Sequence, residues 1–325
     1  MSVLERNRYL LAQPFSKNVE TYVCPISKSK NEVSDGLKIA GGWRFFNELR
    51  VIQKKENVFS ESIMTPLKLI EEAKNESKEA LQEAENVIDS ITNKRLSFSN
   101  LNMSQPHIMG IINSTPDSFY KKSRSTNSSF AIKKSNQMIS DGASIIDIGG
   151  ESSRPGAKKI SIEEEMQRVI PSIIDFKKNN LVTQISLDTR NLPTMKLGLE
   201  SGVDIINDIS GFADHNKIKF VSKFNLPVIV MHMQNEPNNM QIKPKYSFAP
   251  IDIYKILSKR INLLIQMGVN KSNIVVDPGI GFGKNIYHNL EILRNLSLFH
   301  SLGVPILIGL SRKSFIHEVV VKGYK

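Results

Sequence analysis

The sequence predicts an α/β fold: a (β/α)8 TIM barrel lacking its last strand and helix, with an additional N-terminal region whose fold the pattern leaves open. Three observations carry this expectation. From Pro106 onward, short apolar runs alternate with amphipathic helical stretches, the signature of βα repeats and a parallel sheet. The polar clusters of this half stand where apolar runs stop, and a parallel barrel builds its active site at the carboxyl ends of its strands. Seven such runs precede Lys325, which falls part-way into the helix expected after the seventh, whereas a closed barrel needs eight strands in about 200–250 residues.

Two regions follow from the change in texture: 1–103, an N-terminal extension that is polar and irregular apart from one helix over about 66–92, and 106–325, the barrel truncated after its seventh strand. In the first, Gly41-Gly42-Trp43-Arg44-Phe45-Phe46 forms an apolar-aromatic patch. Thr65 reads as the N-cap of the helix and Pro66 as its first residue, with Glu71 and Glu72 in the early turns, where they complement the macrodipole. Ile70, Ala73, Ser77, Ala80, Ala84, Val87, Ile88 and Ile91 then recur at helical spacing and give one apolar stripe. Asn93 to Gln105 is polar and reads as a linker.

In the second region strands are expected at His107 to Asn113, Ser144 to Gly149, Gln184 to Asp188, Asp204 to Ser210, Pro227 to His232, Asn273 to Asp277 and Pro305 to Leu310. The clearest helices between them are Ser128 to Ser140, Ile162 to Lys178, Ile251 to Met267 and His288 to His300. Ser161 and Glu164 have the spacing of a capping box ahead of the second of these.

Composition narrows the functional classes. With 325 residues, 40% hydrophobic and 23% charged, the chain resembles an ordinary soluble globular protein with a large core. Its longest apolar runs are strand-sized, far short of the ~20 residues a membrane-spanning helix needs. The first residues mix Glu5 with Arg6 and Arg8 and contain no apolar h-region, so no secretory signal is read and the cytoplasm is the expected compartment. Cys24 is the sole cysteine, which leaves no internal disulfide and no Cys-clustered metal site; a small apolar packing role suits it better than a redox role. The net charge of +11 comes from scattered lysines without the interleaved aromatics of a nucleic-acid face, which favours anionic small substrates over nucleic acid.

The first strand runs into Asn113-Ser114-Thr115-Pro116-Asp117-Ser118-Phe119, and the second into Gly149-Gly150-Glu151-Ser152-Ser153-Arg154-Pro155-Gly156. In the second loop, glycines let backbone approach an anion while hydroxyl and guanidinium supply donors, a construction suited to phosphate; Gly and Pro also simply make turns, and Arg154 taken alone is equally a solvated side chain. Asp188, Asn207 and Asp277 would project from non-adjacent strands toward one point, where their acceptors suit a heteroaromatic ring with an edge of N–H donors. Taken singly, Asp188 reads as an N-cap and Asp277 as a turn former before Pro278. Met231 and Phe282 would wall such a pocket, or belong to the core. Ser311-Arg312-Lys313-Ser314 sits where a helix would start, so backbone amides there could hold a carboxylate while Lys313 points at the ring.

The ordered set Ile108 to Phe119, Gly149 to Ala157, Asp188, Asn207-Asp208, Met231-His232-Met233, Asp277 to Lys284 and Ser311 to Ile316 resembles the dihydropteroate synthase family, over about 106–317. The resemblance implies a transferase of folate biosynthesis that joins 6-hydroxymethyl-7,8-dihydropterin diphosphate to p-aminobenzoate and releases pyrophosphate. It implies that Asp188, Asn207, Asp277 and Lys313 hold the pterin, with Met231 and Phe282 lining its slot. It further assigns Asn113 to a Mg2+-bound diphosphate, Ser153 and Arg154 to the phosphate-contacting loop, and Phe119, Pro155 and Ser314 to p-aminobenzoate. Arg154 and Lys313 are the residues it makes catalytic. Small molecules are the implied partners, with no nucleic acid and no membrane; a homodimer is compatible.

The chain departs from that pattern in places. The family continues Ser-Asp-Gly-Gly after the position of Phe119, whereas this chain has Tyr120-Lys121-Lys122-Ser123, an ammonium where a carboxylate is expected. Ser153 replaces the usual Thr and keeps the hydroxyl. The family's Arg-x-His strand is not among these residues. A pterin-binding partner protein without turnover, or a pterin-dependent methyltransferase barrel, are the alternative readings. The Ser-Arg-Lys-Ser run and the Glu-Ser-Ser-Arg-Pro-Gly loop suit diphosphate and an acid substrate better than a methyl donor.

Overall fold

The computed structural model describes residues 10–26, 29, 35–56, 58–114, 124–152, 156–157, 159–179 and 183–322. The N-terminal region is not irregular. Strands β1 (Glu20–Ile26), β4 (Glu48–Lys55) and β5 (Val58–Met64) form an antiparallel sheet in the order β1-β4-β5, and β2 (Leu37–Lys38) pairs with β3 (Phe45–Phe46). One face of the larger sheet, through Val23, Leu49 and Val51, packs on Leu69, Ala73, Ala84 and Ile91. The other face, through Tyr22, Cys24 and Ile52, packs on Phe248, Ile251 and Leu298 of the barrel, which makes Cys24 a packing residue.

The helix expected over 66–92 is two: α1 (Pro66–Glu76) and α2 (Lys78–Thr92). Thr65 caps the first, its Oγ1 accepting from Lys68 N at 3.2 Å. Ser77, read as part of one apolar stripe, is instead extended (φ −168°, ψ 169°) and caps the second, accepting from Ala80 N at 3.0 Å. A serine competes with helical backbone for hydrogen bonds, so it ends one helix by starting another. On α1 Leu69 is fully buried and Ile70 packs half-buried against the same core. The stretch read as a linker is also part of the packed structure. Leu101 N donates to Phe98 O at 2.8 Å, and this turn carries the fully buried Phe98 into the floor of the barrel against Ile145, Ile205, Ile229 and Val275.

The barrel half runs β6 (Ile108–Asn113), α3 (Arg124–Ser140), β7 (Ala143–Gly149), α4 (Ile162–Lys178), β8 (Gln184–Asp188), α5 (Leu192–Glu200), β9 (Ile205–Asp208), α6 (His215–Lys223), β10 (Val228–Met231), α7 (Ala249–Gln266), β11 (Ile274–Asp277), α8 (Ile286–Arg294) and α9 (Ser314–Lys322). The six strands form one curled parallel sheet in sequential order from β6 to β11, an α/β arrangement of the TIM-barrel kind. Alternation divides each strand: Ile148, Leu187, Ile206, Val230 and Val276 face the outer helices, while Ile145, Ile205, Ile229 and Val275 face inward.

Three expectations change in this half. The seventh strand, read at 305–310, is a single parallel bridge between Ile306 and Val276, supported by Val276 N to Pro305 O (3.0 Å) and Leu307 N to Val276 O (2.8 Å). The helix read from His288 to His300 ends at Arg294 and continues as a 3-10 helix, Leu296–Leu302. The change falls at Asn295, whose N–H is shared between Glu291 O and Ile292 O (both 3.1 Å), the α and 3-10 patterns at once, while its Nδ2 donates to Glu291 O at 2.7 Å and its Oδ1 accepts from Arg50. Ser161 Oγ accepts from Glu164 N at 3.1 Å, but the Glu164 carboxylate turns to Arg168 one turn on, giving half of the expected capping box. Among the described residues no helix is long and apolar enough to cross a membrane.

Candidate active site

Register alone assembles the site. Asn113 pairs with Gly149, Gly149 with Asp188 and Asp188 with Asn207, so four consecutive strands end on one row; Met231 pairs with Asp277 on the next two. Because side chains alternate, placing inward-facing Ile145, Ile205 and Ile229 in the barrel floor also sends Gly149, Asn207 and Met231 inward at the rim. Asp208, one residue past Asn207, takes the outer face and pairs with Lys217 at 3.0 Å. The second member of the row, Gly149, is a glycine for a spatial reason. A Cβ there would lie 3.3 Å from Asp188 Oδ2 and 3.6 Å from Asn113 Oδ1, in the space between the two oxygens.

The carboxylates beneath the rim are electrostatically loaded. Burial, with Asp147, Glu165, Asp208 and Glu151 around it, holds the Asp188 carboxyl well above the usual carboxylate range. Burial raises Asp147 as well, and its Oδ2 accepts from Asn207 Nδ2 at 3.2 Å. That bond orients the amide of Asn207 by one of its N–H donors and keeps Oδ1, the acceptor, on the other side of the group. Across the site, burial pushes Asp277 up to about 6, against the pull of Gly279 N–H (2.7 Å to Oδ1), Lys313 and Lys284.

Lys313 and Phe282 meet above Asp277. The ammonium lies 4.2 Å from the ring centroid, a cation–π contact, and burial lowers its pKa while Asp277 raises it. The glycines of the intervening loop are required by close approach: a Cβ on Gly279 would fall 1.9 Å from His232 O, and Gly279 and Gly281 both have positive φ. Met231 is buried at the end of β10. Ser314 begins α9 and is exposed.

At the rim, Arg190 grips Glu151 with two bonds (3.0 and 3.1 Å) and reaches Glu236 at 3.5 Å, joining the loops after β7, β8 and β10. Buried Glu165 accepts from Thr189 (2.8 Å), Asn191 (3.0 Å) and Thr194, which fixes the start of α5 beside Asp188. Phe119, Ser153, Arg154, Pro155 and Lys121 lie outside the described residues.

Of the predicted residues, the structure therefore brings Asn113, Asp188, Asn207, Met231, Asp277, Phe282 and Lys313 to one end of the sheet, with Ser314 at the helix start beside them. Sequence reasoning missed Asp147, Lys284 and the Glu151–Arg190 pair. Asp147 had a signal: it interrupts an apolar strand two residues before Gly149, at the same parity as the rim residues. The others are read only from tertiary contacts.

Comparison with known proteins agrees with this geometry. The family model described as pterin binding enzyme matches residues 109–324. The dihydropteroate synthase of Escherichia coli (strain K12) is 40% identical over 225 residues, spanning 69% of this chain and 79% of that protein. The structure of Yersinia pestis dihydropteroate synthase with a sulfonamide drug complex superposes with a TM-score of 0.63 at 38% identity, over 68% of this chain and 80% of that one. That of the Xanthomonas albilineans enzyme in complex with 7,8-dihydropteroate does so with a TM-score of 0.60 at 32% identity, over 69% and 79%. With two thirds of its length matching, the chain belongs to the dihydropteroate synthase family of pterin-binding enzymes.

Proposed function

We infer that this chain is a transferase that condenses 6-hydroxymethyl-7,8-dihydropterin diphosphate with p-aminobenzoate, giving 7,8-dihydropteroate and pyrophosphate in folate biosynthesis. The observation that carries this reading is the meeting of Asp188, Asn207 and Asp277 with the Lys313–Phe282 pair at one barrel rim, in a chain 32% identical to an enzyme solved with 7,8-dihydropteroate.

The pterin's N–H edge would be read by Asn207 Oδ1 and by Asp277 and Asp188. Ligand N–H donors favour the ionised carboxylates that burial disfavours, so binding and ionisation reinforce each other. Lys313 would donate to ring acceptors, and Phe282 and Met231 would confine the flat bicycle. The C–N bond forms as the C–O bond to diphosphate breaks, and the amine loses a proton. An aniline nitrogen is nucleophilic without prior deprotonation, so the protein contributes chiefly by positioning the two substrates. Arg154 and Ser153 are proposed to stabilise the departing diphosphate, and Phe119, Pro155 and Ser314 to seat the p-aminobenzoate.

The residues fit a magnesium ion of the kind that keeps most of its waters. Asn113 presents a hard amide oxygen beside the Asp188 oxygen, across the space a Cβ at Gly149 would fill, and Mg2+ takes few protein ligands when phosphates supply the rest. Bound there with the diphosphate, Mg2+ would neutralise leaving-group charge. Among the described residues no group of three or more His, Cys, Asp or Glu side chains forms a closed metal cage.

The proposed organisation is an N-terminal unit over 1–103 and a pterin-binding unit over 106–325, supported by their separate cores. We read the curled six-stranded sheet, with the Ile306 bridge at its edge, as part of a (β/α)8 barrel. The working assembly is a homodimer and the working compartment the cytoplasm; sedimentation of the purified chain reads the first. Isothermal titration with the pterin diphosphate, beside a pyrophosphate-release assay, tests the function. Lys313→Ala or Asp277→Asn is expected to abolish pterin binding with the fold intact, and unchanged affinity would remove the slot. Arg154→Ala is expected mainly to slow turnover.

A further inference from the structure

Lys284 stands directly after the glycine loop, yet it is only 3% exposed. Its ammonium donates to Phe282 O at 2.8 Å and to His232 O at 3.3 Å, and lies 3.1 Å from His232 Nδ1. Burial and the neighbouring ammonium hold the His232 imidazole well below its usual range, so the ring is neutral and Nδ1 accepts. Among the described residues no ion pair offsets the buried charge: burial lowers the Lys284 pKa to about 7, and the Asp277 carboxylate, beyond bonding distance, raises it only in part, so at neutral pH the group exchanges between ammonium and amine and keeps N–H donors in both. Burying an ammonium among carbonyls and an imidazole is costly, and an apolar side chain would fill the space at less expense.

The contacts show what the charge holds. Gly281 N is fixed by Asn289 Oδ1 (2.8 Å), Gly281 O by Gln241 (2.7 Å) and Gly283 O by the Tyr246 hydroxyl (2.9 Å). Phe282 O is held by Lys284, and the Phe282 ring is the face on which Lys313 rests. On the other side, His232 N donates to the backbone O of Asp277 at 2.9 Å, so Lys284 also braces the residue that holds the Asp277 backbone. One ammonium thus joins the exit of β10 to the loop after β11.

Resting on the reading of this rim as a pterin slot, we propose that Lys284 is a positioning residue for the pterin half of the reaction: it sets the spacing between the Phe282 wall and Asp277 without touching the substrate. The test compares steady-state kinetics of wild type, Lys284→Met, Lys284→Gln and His232→Asn, with thermal unfolding of each as the control for folding. Lys284→Met is expected to raise KM for the pterin diphosphate by about 10–100-fold, the scale of a misplacement of about 1 Å, while KM for p-aminobenzoate stays within about threefold. Lys284→Gln keeps an N–H for the Phe282 carbonyl and is expected to recover most of the loss. His232→Asn, which keeps the Phe282 bond, is expected to raise the pterin KM less. A purely structural lysine would lower the unfolding temperature without separating the two KM values, and that result overturns the proposal. Should Lys284→Met not fold, unchanged pterin KM values in folded Lys284→Gln and His232→Asn together do the same. Asp277→Asn in the same series separates the two levels: pterin affinity unchanged there removes the slot itself, whereas affinity lost there but unaffected at Lys284 removes only the positioning role.

Discussion

At the scale of single residues, the site keeps its acceptors in a state that the protein alone disfavours. Asp277 has its pKa raised from 3.8 to about 6 by burial. A carboxyl whose folded pKa is raised contributes stability that is complete below the unfolded pKa and lost as pH rises through the folded one, here from about pH 4 to above 6. At neutral pH the ligand-free slot therefore carries an unfavourable buried charge of order 1–3 kcal/mol. Asp277→Asn, which keeps an oxygen for the Gly279 N–H, is expected to raise the unfolding temperature at pH 7.5 while removing pterin binding. Binding has its own pH signature. The ligand's donors favour the carboxylate, so pterin affinity should fall roughly tenfold per unit as the pH drops below about 6. Titration calorimetry from pH 5 to 8 checks this, and a flat profile would show that Asp277 is not the acceptor. The acceptors were legible because each stood where an apolar run ended. Asp147 and Lys284 were not: one hides inside a strand and the other after a glycine loop, and only neighbours brought by the fold give them a role.

At the scale of elements, helix caps carry the glycine loop. Asn285 Oδ1 accepts from His288 N at 2.9 Å, and its own N–H donates to His288 Nδ1 at 3.3 Å, a reciprocal capping box at the start of α8. Burial and Lys284 lower the His288 pKa, which keeps that nitrogen an acceptor. Asn289, one turn on, binds Asn285 O with Nδ2 (2.8 Å) and Gly281 N with Oδ1, so the cap and the loop share one side chain. Asn285→Ala is expected to cost about 1 kcal/mol of stability in urea unfolding. The loss should carry into a weaker pterin complex through Asn289; unchanged stability would mean that water replaces the cap. The barrel elements were legible because strand and helix periods alternate cleanly from β6 to α8. The N-terminal sheet was not, since Gln53 and Ser60 are buried polar residues on β4 and β5 and Pro25 interrupts β1. Gln53 breaks the alternation because its side chain takes over backbone pairing: Oε1 accepts from Leu11 N (2.7 Å) and Nε2 donates to Ala12 O (2.9 Å). The seventh strand misled in the other direction, an apolar run whose ladder amounts to one bridge.

At the scale of the molecule, the N-terminal unit is fastened to the flank and floor of the barrel, and Arg95 is one of its polar contacts, beside the Arg50–Asn295 bond and the Lys255–Glu20 ion pair. Arg95 is 7% exposed and donates to Ser90 O (2.6 Å) and Asn93 O (2.9 Å) at the end of α2, and to His300 O (3.0 Å) in the 3-10 helix of the barrel. Burial lowers its pKa only to about 10, so the group stays charged at neutral pH and meets the negative ends of both helices. Tyr22, Cys24 and Ile52 supply the apolar part of the same junction. Replacing Arg95 with Met removes charge-assisted bonds while keeping a linear side chain, and is expected to cost about 2–4 kcal/mol. The probe is built in. Trp43, the sole tryptophan, stacks under the Arg44 guanidinium at 4.6 Å in a loop held to α2, where Ala40 N donates to Ile91 O at 2.7 Å. In wild type, tryptophan fluorescence and far-ultraviolet circular dichroism should lose signal together in urea. In Arg95→Met the fluorescence transition is expected to move to lower urea ahead of the dichroism, because the N-terminal unit lets go of a barrel that stays folded. Pterin affinity below that first transition should be unchanged, since the bonds of Arg95 go to Ser90, Asn93 and His300, away from the strand ends that carry the site. If the two transitions remain superimposed and unshifted, the guanidinium is not a fastener, and the apolar contact of Tyr22, Cys24 and Ile52 with the barrel, together with the Arg50–Asn295 and Lys255–Glu20 contacts, holds the units together without it.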